Sequence, residues 1–242
     1  MILDILIITV IKMLSSTKLN FKNIRSLRQR HNITKVYNML KVGSYNELNK
    51  NINKNKLKRV LLELNKTSKE LFDKCVDDDF CKLLSINLAK IASRQGIKDE
   101  HLQLETCNNL SSKYGIHITK LGTSDYRPVK MTGSIASKKD NVSNDKCLKS
   151  FDGKINGHIN GYITAKIVYG SGGHQDNVFQ ELYSILEWWK LHQKELMLIV
   201  LIDTDLKSKV YKMKQSYNNI KNIKIFNHIE FQEHIINNFK EN

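Results

Sequence analysis

Residues Ser150–Tyr169 read SFDGKINGHINGYITAKIVY. The second half, Gly161–Tyr169, is rich in β-branched and aromatic residues and predicts a strand. Ser150–Ile155 predicts its partner. The Asn156–Gly157 and Asn160–Gly161 dipeptides between them favour the positive φ that hairpin turns require. Side chains alternate along a strand, so Tyr162, Thr164, Lys166 and Val168 share one face, and Ile163, Ala165 and Ile167 the other. A suitable hairpin register brings Asp152 to the Lys166 face.

The pattern continues outward. A glycine-rich loop, GSGGHQDN, is expected over Gly170–Asn177. Val178–Lys190 has helical spacing, with Phe179, Leu182, Ile185 or Leu186 and Trp189 as its core stripe. Trp188 and Trp189 are adjacent, so only one of them is expected to face the core fully. Leu196–Ile202, LMLIVLI, is apolar on both faces and predicts a strand in the centre of a sheet. Asp203 and Asp205 at its end are read as a cap for the helix over Lys207–Tyr217. A short strand over Ile223–Phe226 and a helix over Glu230–Phe239 complete the chain. This order predicts an α/β (α+β) fold, a mixed sheet covered by helices over residues 116–242.

Residues 1–115 read instead as a helical N-terminal region. Asn55–Leu64 and Asp77–Ser93 place apolar residues at three- and four-residue spacing. In the second, Phe80, Leu83, Leu84, Ile86, Leu88 and Ile91 form the expected stripe. Asp77, Asp78 and Asp79 suit the helix N-terminal dipole without a metal. Asn46–Lys58, rich in Asn and Lys, reads as a weak linker.

A carboxylate and a lysine converging on one sheet edge suit phosphodiester hydrolysis. The carboxylate binds a divalent cation that polarises the phosphate and activates water. The lysine orients that water or stabilises charge on the phosphorane. Asp152, a hairpin and then Thr164-Ala165-Lys166 resemble the PD-(D/E)xK nuclease superfamily, with its restriction-endonuclease-like core. The segments GSGGHQDNVFQE and LIVLIDTD are similar to those of type II restriction endonucleases. The resemblance spans about Ser150 to Phe231.

Two positions depart from the pattern: Phe151 stands in place of proline, and Thr164 in place of the acid two residues before the lysine. A hydroxyl is a poor substitute for a metal-binding carboxylate. In some members of the superfamily that acid has migrated to the following helix, where Glu181 stands here. The resemblance therefore implies Asp152 and Glu181 as Mg²⁺ ligands, with Asp176 in reserve, and Lys166 as the catalytic lysine. His174 is the loop residue expected to touch phosphate or metal-bound water. The implied activity is Mg²⁺-dependent cleavage of double-stranded DNA at a short specific sequence, by a homodimer with a cognate DNA methyltransferase as partner. A repair, recombination or structure-specific nuclease of the same fold is the alternative, as is a non-catalytic nucleic-acid-binding protein.

Charge agrees with such a polyanionic partner. The chain has 242 residues, with 39 Lys and Arg against 24 Asp and Glu, a formal charge of +15. An anionic membrane surface would serve equally on charge alone. However, the only long apolar run, Met1–Leu14, is interrupted by Asp4 and Lys12 and reads as a buried helix. It lacks the basic start and cleavage site of a signal peptide. Cys75, Cys81, Cys107 and Cys147 form no CxxC pair, so reduced thiols and an intracellular location are expected, cytoplasmic in a bacterium, or host cell or virion if viral. The loop Asp125–Gly133, DYRPVKMTG, presents Tyr126, Arg127 and Lys130 around the sole proline. With Gln175, these are the expected DNA contacts.

Overall fold

The computed structural model describes residues 20–43, 48, 52, 54–169 and 173–241. Met1–Leu14 therefore lies outside the described residues. No described helix is long and apolar enough to cross a membrane. The chain divides into two compact units, one of residues 20–96 and one containing residues 97–242.

The first unit is helical: α1 (Phe21–Val42), α2 (Lys54–Glu63), α3 (Ser68–Asp73) and α4 (Asp78–Leu88). Asn20 caps α1 by accepting the Asn23 N–H, and α1 ends at Gly43 with φ 70°. Asp77 caps α4 through the Phe80 N–H, as its position before an apolar run predicts. Val36, Leu40, Leu57, Leu71, Cys75, Cys81, Leu84 and Leu88 make the core. Leu48 and Ile52 are buried in it and Ile52 bridges Ala89, so Asn46–Lys58 is not a linker. The α4 stripe is also corrected. Its buried line is Cys81, Leu84, Ser85 and Leu88, while Leu83 and Ile86 are 62% and 53% exposed. The true stripe runs through a small polar residue, Ser85, whose Oγ donates to the Cys81 carbonyl at 2.6 Å.

The second unit opens with α5 (Gly96–Ser111), followed by β1 (Ile116–Lys120), a small hairpin of β2 (Arg127–Pro128) and β3 (Ile135–Ala136), and then β4 (Gly153–Gly157) and β5 (Gly161–Val168). The remaining elements are α6 (Gly173–His192), β6 (Met197–Thr204), α7 (Lys207–Tyr217), β7 (Ile223–Phe226) and α8 (His228–Asn238). The main sheet has the order β1-β4-β5-β6-β7. β4 pairs antiparallel with both β1 and β5, while β5, β6 and β7 are parallel. β5 is thus the central strand, and β6 lies beside it rather than at the centre. The expected mixed sheet flanked by helices is present; β1 and the small hairpin were not anticipated.

Alternation along β5 builds two apolar layers. Ile163 and Ala165 join Ile155, Ile199 and Leu201, with Leu104 and Cys107 of α5 and Phe231 and Ile235 of α8 over them. Tyr162 and Val168 join Leu198, Val200 and Ile202 under Phe179, Leu182, Ile185, Leu186 and Trp189 of α6 and Met213 and Tyr217 of α7. Each such buried side chain contributes about 1.5–3 kcal/mol. α5 thus belongs with the sheet and not with the helical unit, which moves the boundary from residue 115 to 96. Both tryptophans are buried, because the Trp188 Nε1–H donates to the Val129 carbonyl at 2.9 Å in the loop above α6.

The hairpin glycines act differently from one another. Gly157 has φ 113°, which the β4–β5 turn requires. Gly161 has no positive φ; a Cβ there would stand 1.9 Å from the Met197 carbonyl, so it is close approach of β6 that demands glycine.

Candidate active site

β5 pairs with β6 along its whole length but with β4 only through residues 161–163. Beyond Ile163 the two antiparallel strands part, and Asp152 stands in the fork. Its N–H donates to the Ile163 carbonyl at 2.9 Å, and its carbonyl accepts from Leu121 N–H at 3.0 Å. Its Oδ2 accepts from the Ala165 N–H at 2.8 Å, replacing a backbone acceptor where the ladder has ended. The neighbouring Phe151 is fully buried, stacked on Tyr162 with ring centroids 4.6 Å apart and edge-on to Trp189. Asp152 therefore does not begin a turn with Gly153; it is anchored on both sides.

Lys166 lies on the same fork and is only 3% exposed, which excludes a solvated lysine guarding a sheet edge. Its Nζ donates to Asp152 Oδ2 and to the Ala165 carbonyl, both at 3.1 Å. Two further carboxylates face it, Glu181 Oε1 at 3.7 Å and Glu100 Oε1 at 3.8 Å. Glu181 is in the third turn of α6, because that helix begins at Gly173, so it is not a partner of the helix dipole. Glu181 Oε2 accepts from Lys149 Nζ at 3.1 Å.

Burial lowers the affinity of Lys166 for its proton, but Asp152, Glu100 and Glu181 together outweigh it and hold the ammonium pKa above its ordinary value. Burial pushes the Glu100 carboxyl up; Lys166 opposes this, and Asp152 reinforces it. Three carboxylates thus face two ammonium groups, Lys166 and Lys149, in a partly buried space.

Glu100 was not anticipated. No short motif surrounds it, yet there was a signal. Glu100, Gln103, Leu104, Cys107 and Ser111 recur at helical spacing, and the last four are buried. A carboxylate that continues a buried stripe points toward the sheet that the stripe covers.

Other anticipated residues are placed elsewhere. Asp176 is in the first turn of α6 and forms an ion pair with Lys209, away from the Lys166 cluster. His174 and Gln175 belong to the α6 backbone and not to a loop, and their side chains are outside the described residues, as are residues 170–172. Arg127 is buried, and its guanidinium donates to the Val142 carbonyl at 2.7 Å and to Asn144 Oδ1, so it does not reach outward. Tyr126 packs its ring 5.6 Å from that of Tyr162, beneath Lys154. Of Tyr126, Arg127 and Lys130, only Lys130 is exposed, donating to the Asp145 carbonyl at 2.7 Å. Asp203 does not cap α7. It is buried, accepting from Gln103 Nε2 at 2.6 Å, sharing a 2.7 Å hydrogen bond with His228 Nδ1, and accepting from the His228 N–H at 3.4 Å.

Among the described residues, no three His, Cys, Asp or Glu side chains are already arranged as a ligand set. Glu100, Asp152 and Glu181 are gathered instead around one ammonium group. Their donor set still suits a hard divalent cation, which prefers carboxylate oxygens. Glu181 Oε1 is buried and accepts no hydrogen bond, the Lys166 ammonium standing 3.7 Å away, so that oxygen could take up a cation. No family model, no curated protein and no solved structure matches this chain.

Proposed function

We propose that this protein is a Mg²⁺-dependent endonuclease acting on double-stranded DNA, with a restriction-endonuclease-like core of the PD-(D/E)xK type. The observation that carries this reading is the convergence of Glu100, Asp152 and Glu181 on buried Lys166 where β4 and β5 part. Asp152 and Glu181, with Glu100, would hold the metal, which supplies Lewis-acid polarisation of the phosphate and a water of lowered pKa.

The chain's own groups do the rest. Asp152 is immobilised by four hydrogen bonds and needs no reorganisation when substrate arrives. Lys166 stays protonated through neutral pH, and its ammonium can stabilise the extra negative charge on the phosphorane. Low solvent exposure makes that charge interaction stronger than it would be in water. Thr164 is fully buried with its hydroxyl unpartnered, and Glu181 of α6, which faces Lys166, would stand in for the acid absent from the strand. A short recognition sequence, a homodimer that cuts both strands, and a companion DNA methyltransferase belong to the same reading.

Incubation of plasmid DNA with the protein and Mg²⁺ tests it. Cleavage is expected, with Asp152→Ala and Lys166→Ala reducing it by about a thousandfold or more, on the scale of losing a group that stabilises transition-state charge. Discrete bands would mark sequence specificity and a smear a non-specific nuclease. Undiminished cleavage by both variants would overturn the site.

A further inference from the structure

Positive charge in residues 97–242 is gathered in two places. This stretch holds 20 Lys and Arg against 16 Asp and Glu. Residues 127–149, within the insertion between β1 and β4, hold six against two, and residues 207–224 hold six Lys against none, of which Lys209 is paired with Asp176 and Lys214 with Glu230; the first stretch runs directly into Asp152. Lys130, Lys138, Lys139 and Lys146 of the insertion are exposed.

The insertion has little regular secondary structure, yet it is firmly built. Val129, Ala136 and Cys147 form a small core of their own, with Val142 against it. The buried Arg127 guanidinium ties down residues 142 and 144. Lys130 N–H donates to the Lys146 carbonyl at 2.9 Å. One side chain within α6 and one just after it reach up to the insertion: Trp188 Nε1 to the Val129 carbonyl and Gln193 Nε2 to the Gly133 carbonyl, both at 2.9 Å. Its tip is the tight turn Val129–Ser134, closed by the Val129 N–H to the Ser134 carbonyl at 2.9 Å. Gly133 in that turn has φ 68°, and a Cβ there would meet the His192 ring at 2.5 Å.

On this braced turn sits Met131, 89% exposed, the most exposed large apolar side chain among the described residues. The brace runs on to the candidate active site. Leu148 N–H donates to the Pro128 carbonyl at 2.8 Å, Phe151 N–H donates to the Tyr126 carbonyl at 3.2 Å, and the next residue is Asp152.

We infer that this insertion is the surface on which the catalytic unit docks duplex DNA. Lys130, Lys138, Lys139 and Lys146 lie against phosphates, and Met131 enters a groove as an apolar wedge. The identity of the polymer rests on the nuclease reading above; the surface itself rests on charge, exposure and bracing. Lysines act as point charges toward phosphate and carry no base information. An apolar side chain among them matches the wedges with which proteins unstack a base step. The rigid link to Asp152 would set the scissile phosphate at a fixed reach from the docked backbone.

The test uses the full chain and a duplex oligonucleotide without Mg²⁺, with binding followed by fluorescence anisotropy between 50 and 200 mM salt. Each lost phosphate contact should lower the slope of log K against log salt by about 0.9. Lys138→Gln/Lys139→Gln/Lys146→Gln is expected to lower it by about two to three, with at least tenfold weaker binding at the lowest salt and an unchanged circular dichroism spectrum. Met131→Ala is expected to leave the slope intact but to abolish the fluorescence rise of a 2-aminopurine placed in the duplex. A triple variant with parental slope and affinity would overturn the proposal. So would a triple variant that loses binding only to anionic phospholipid vesicles. Loss of the slope in the variant while the parent cuts no DNA would support the docking surface and refute the nuclease reading. Cleavage by the parent with unaltered binding by the variant would do the reverse.

Discussion

Glu100 is held where its charge is disfavoured. Burial is the first cause, and the nearby Asp152 and Glu181 add to it against the opposing Lys166. A carboxyl whose folded pKa lies above its unfolded value lowers stability as pH rises through that interval, because the folded state binds the proton more tightly. At neutral pH the folded protein therefore carries a destabilising charge. Glu100→Gln, which keeps the shape and removes the charge, should raise the urea midpoint at pH 7 and lower Mg²⁺-dependent cleavage at least tenfold. The stability gain should vanish at a pH below the ordinary glutamate value. A lower midpoint at pH 7 would show that the Lys166 attraction dominates instead. Thr164 is the opposite case. Its buried hydroxyl has no partner, and replacing such a group by a methyl of the same shape is neutral or favourable. Thr164→Val should be stabilising by up to about 1 kcal/mol in a urea titration and should retain cleavage. Lost cleavage would return Thr164 to the chemistry.

At the scale of elements, the end of β6 joins three pieces of the second unit. Asp203 accepts from Gln103 of α5 and bonds to both the ring and the backbone of His228, the first residue of α8. Gln103 lies one turn from Glu100, so the same buried network that closes the sheet layer also sets the rotation of α5 that delivers Glu100 to Lys166. Removing the carboxylate leaves buried donors unsatisfied at about 1–3 kcal/mol each. Asp203→Ala should therefore cost about 3 kcal/mol or more by denaturant titration, and a cost below 1 kcal/mol would show that the network is dispensable. The strand that ends there was legible from its apolar run; its role was not. An Asp after a strand and before a helix has the spacing of a cap, and only packing shows that Thr204 Oγ1 takes the Leu206 N–H while Asp203 turns inward.

At the scale of the whole molecule, the four thiols report on both units. Cys75 and Cys81 lie in the helical core, Cys107 in the layer between α5 and the sheet, and Cys147 in the insertion. All four are buried and free, and burial raises the Cys75 thiol pKa to about 12. A thiol reagent at pH 8 should find none of them in native buffer. As urea is raised, Cys75 and Cys81 should react in one transition and Cys107 and Cys147 in another, since the two sets belong to separate cores. A single coincident transition for all four would show one cooperative unit.

The amino-acid order alone determined most local elements of residues 150–239, although α6 begins at Gly173, inside the stretch that reads as a loop. Period-two and period-3.6 patterns with glycine breaks place β5, α7 and β7 within a residue or so, and they bring out Asp152 and Lys166 as neighbours across a hairpin. These are short-range properties, set by which side chains can share a face within a few residues. Tertiary structure decided the rest. Glu100 reaches Lys166 from 66 positions earlier in the chain, across a boundary that texture had drawn at residue 115. Arg127, which reads as a surface cation, is turned inward onto the Val142 carbonyl and Asn144 Oδ1, with its Nε buried and unpaired. Hydrogen-bond satisfaction and burial depend on the entire packed surroundings of a group, and no window of sequence contains them.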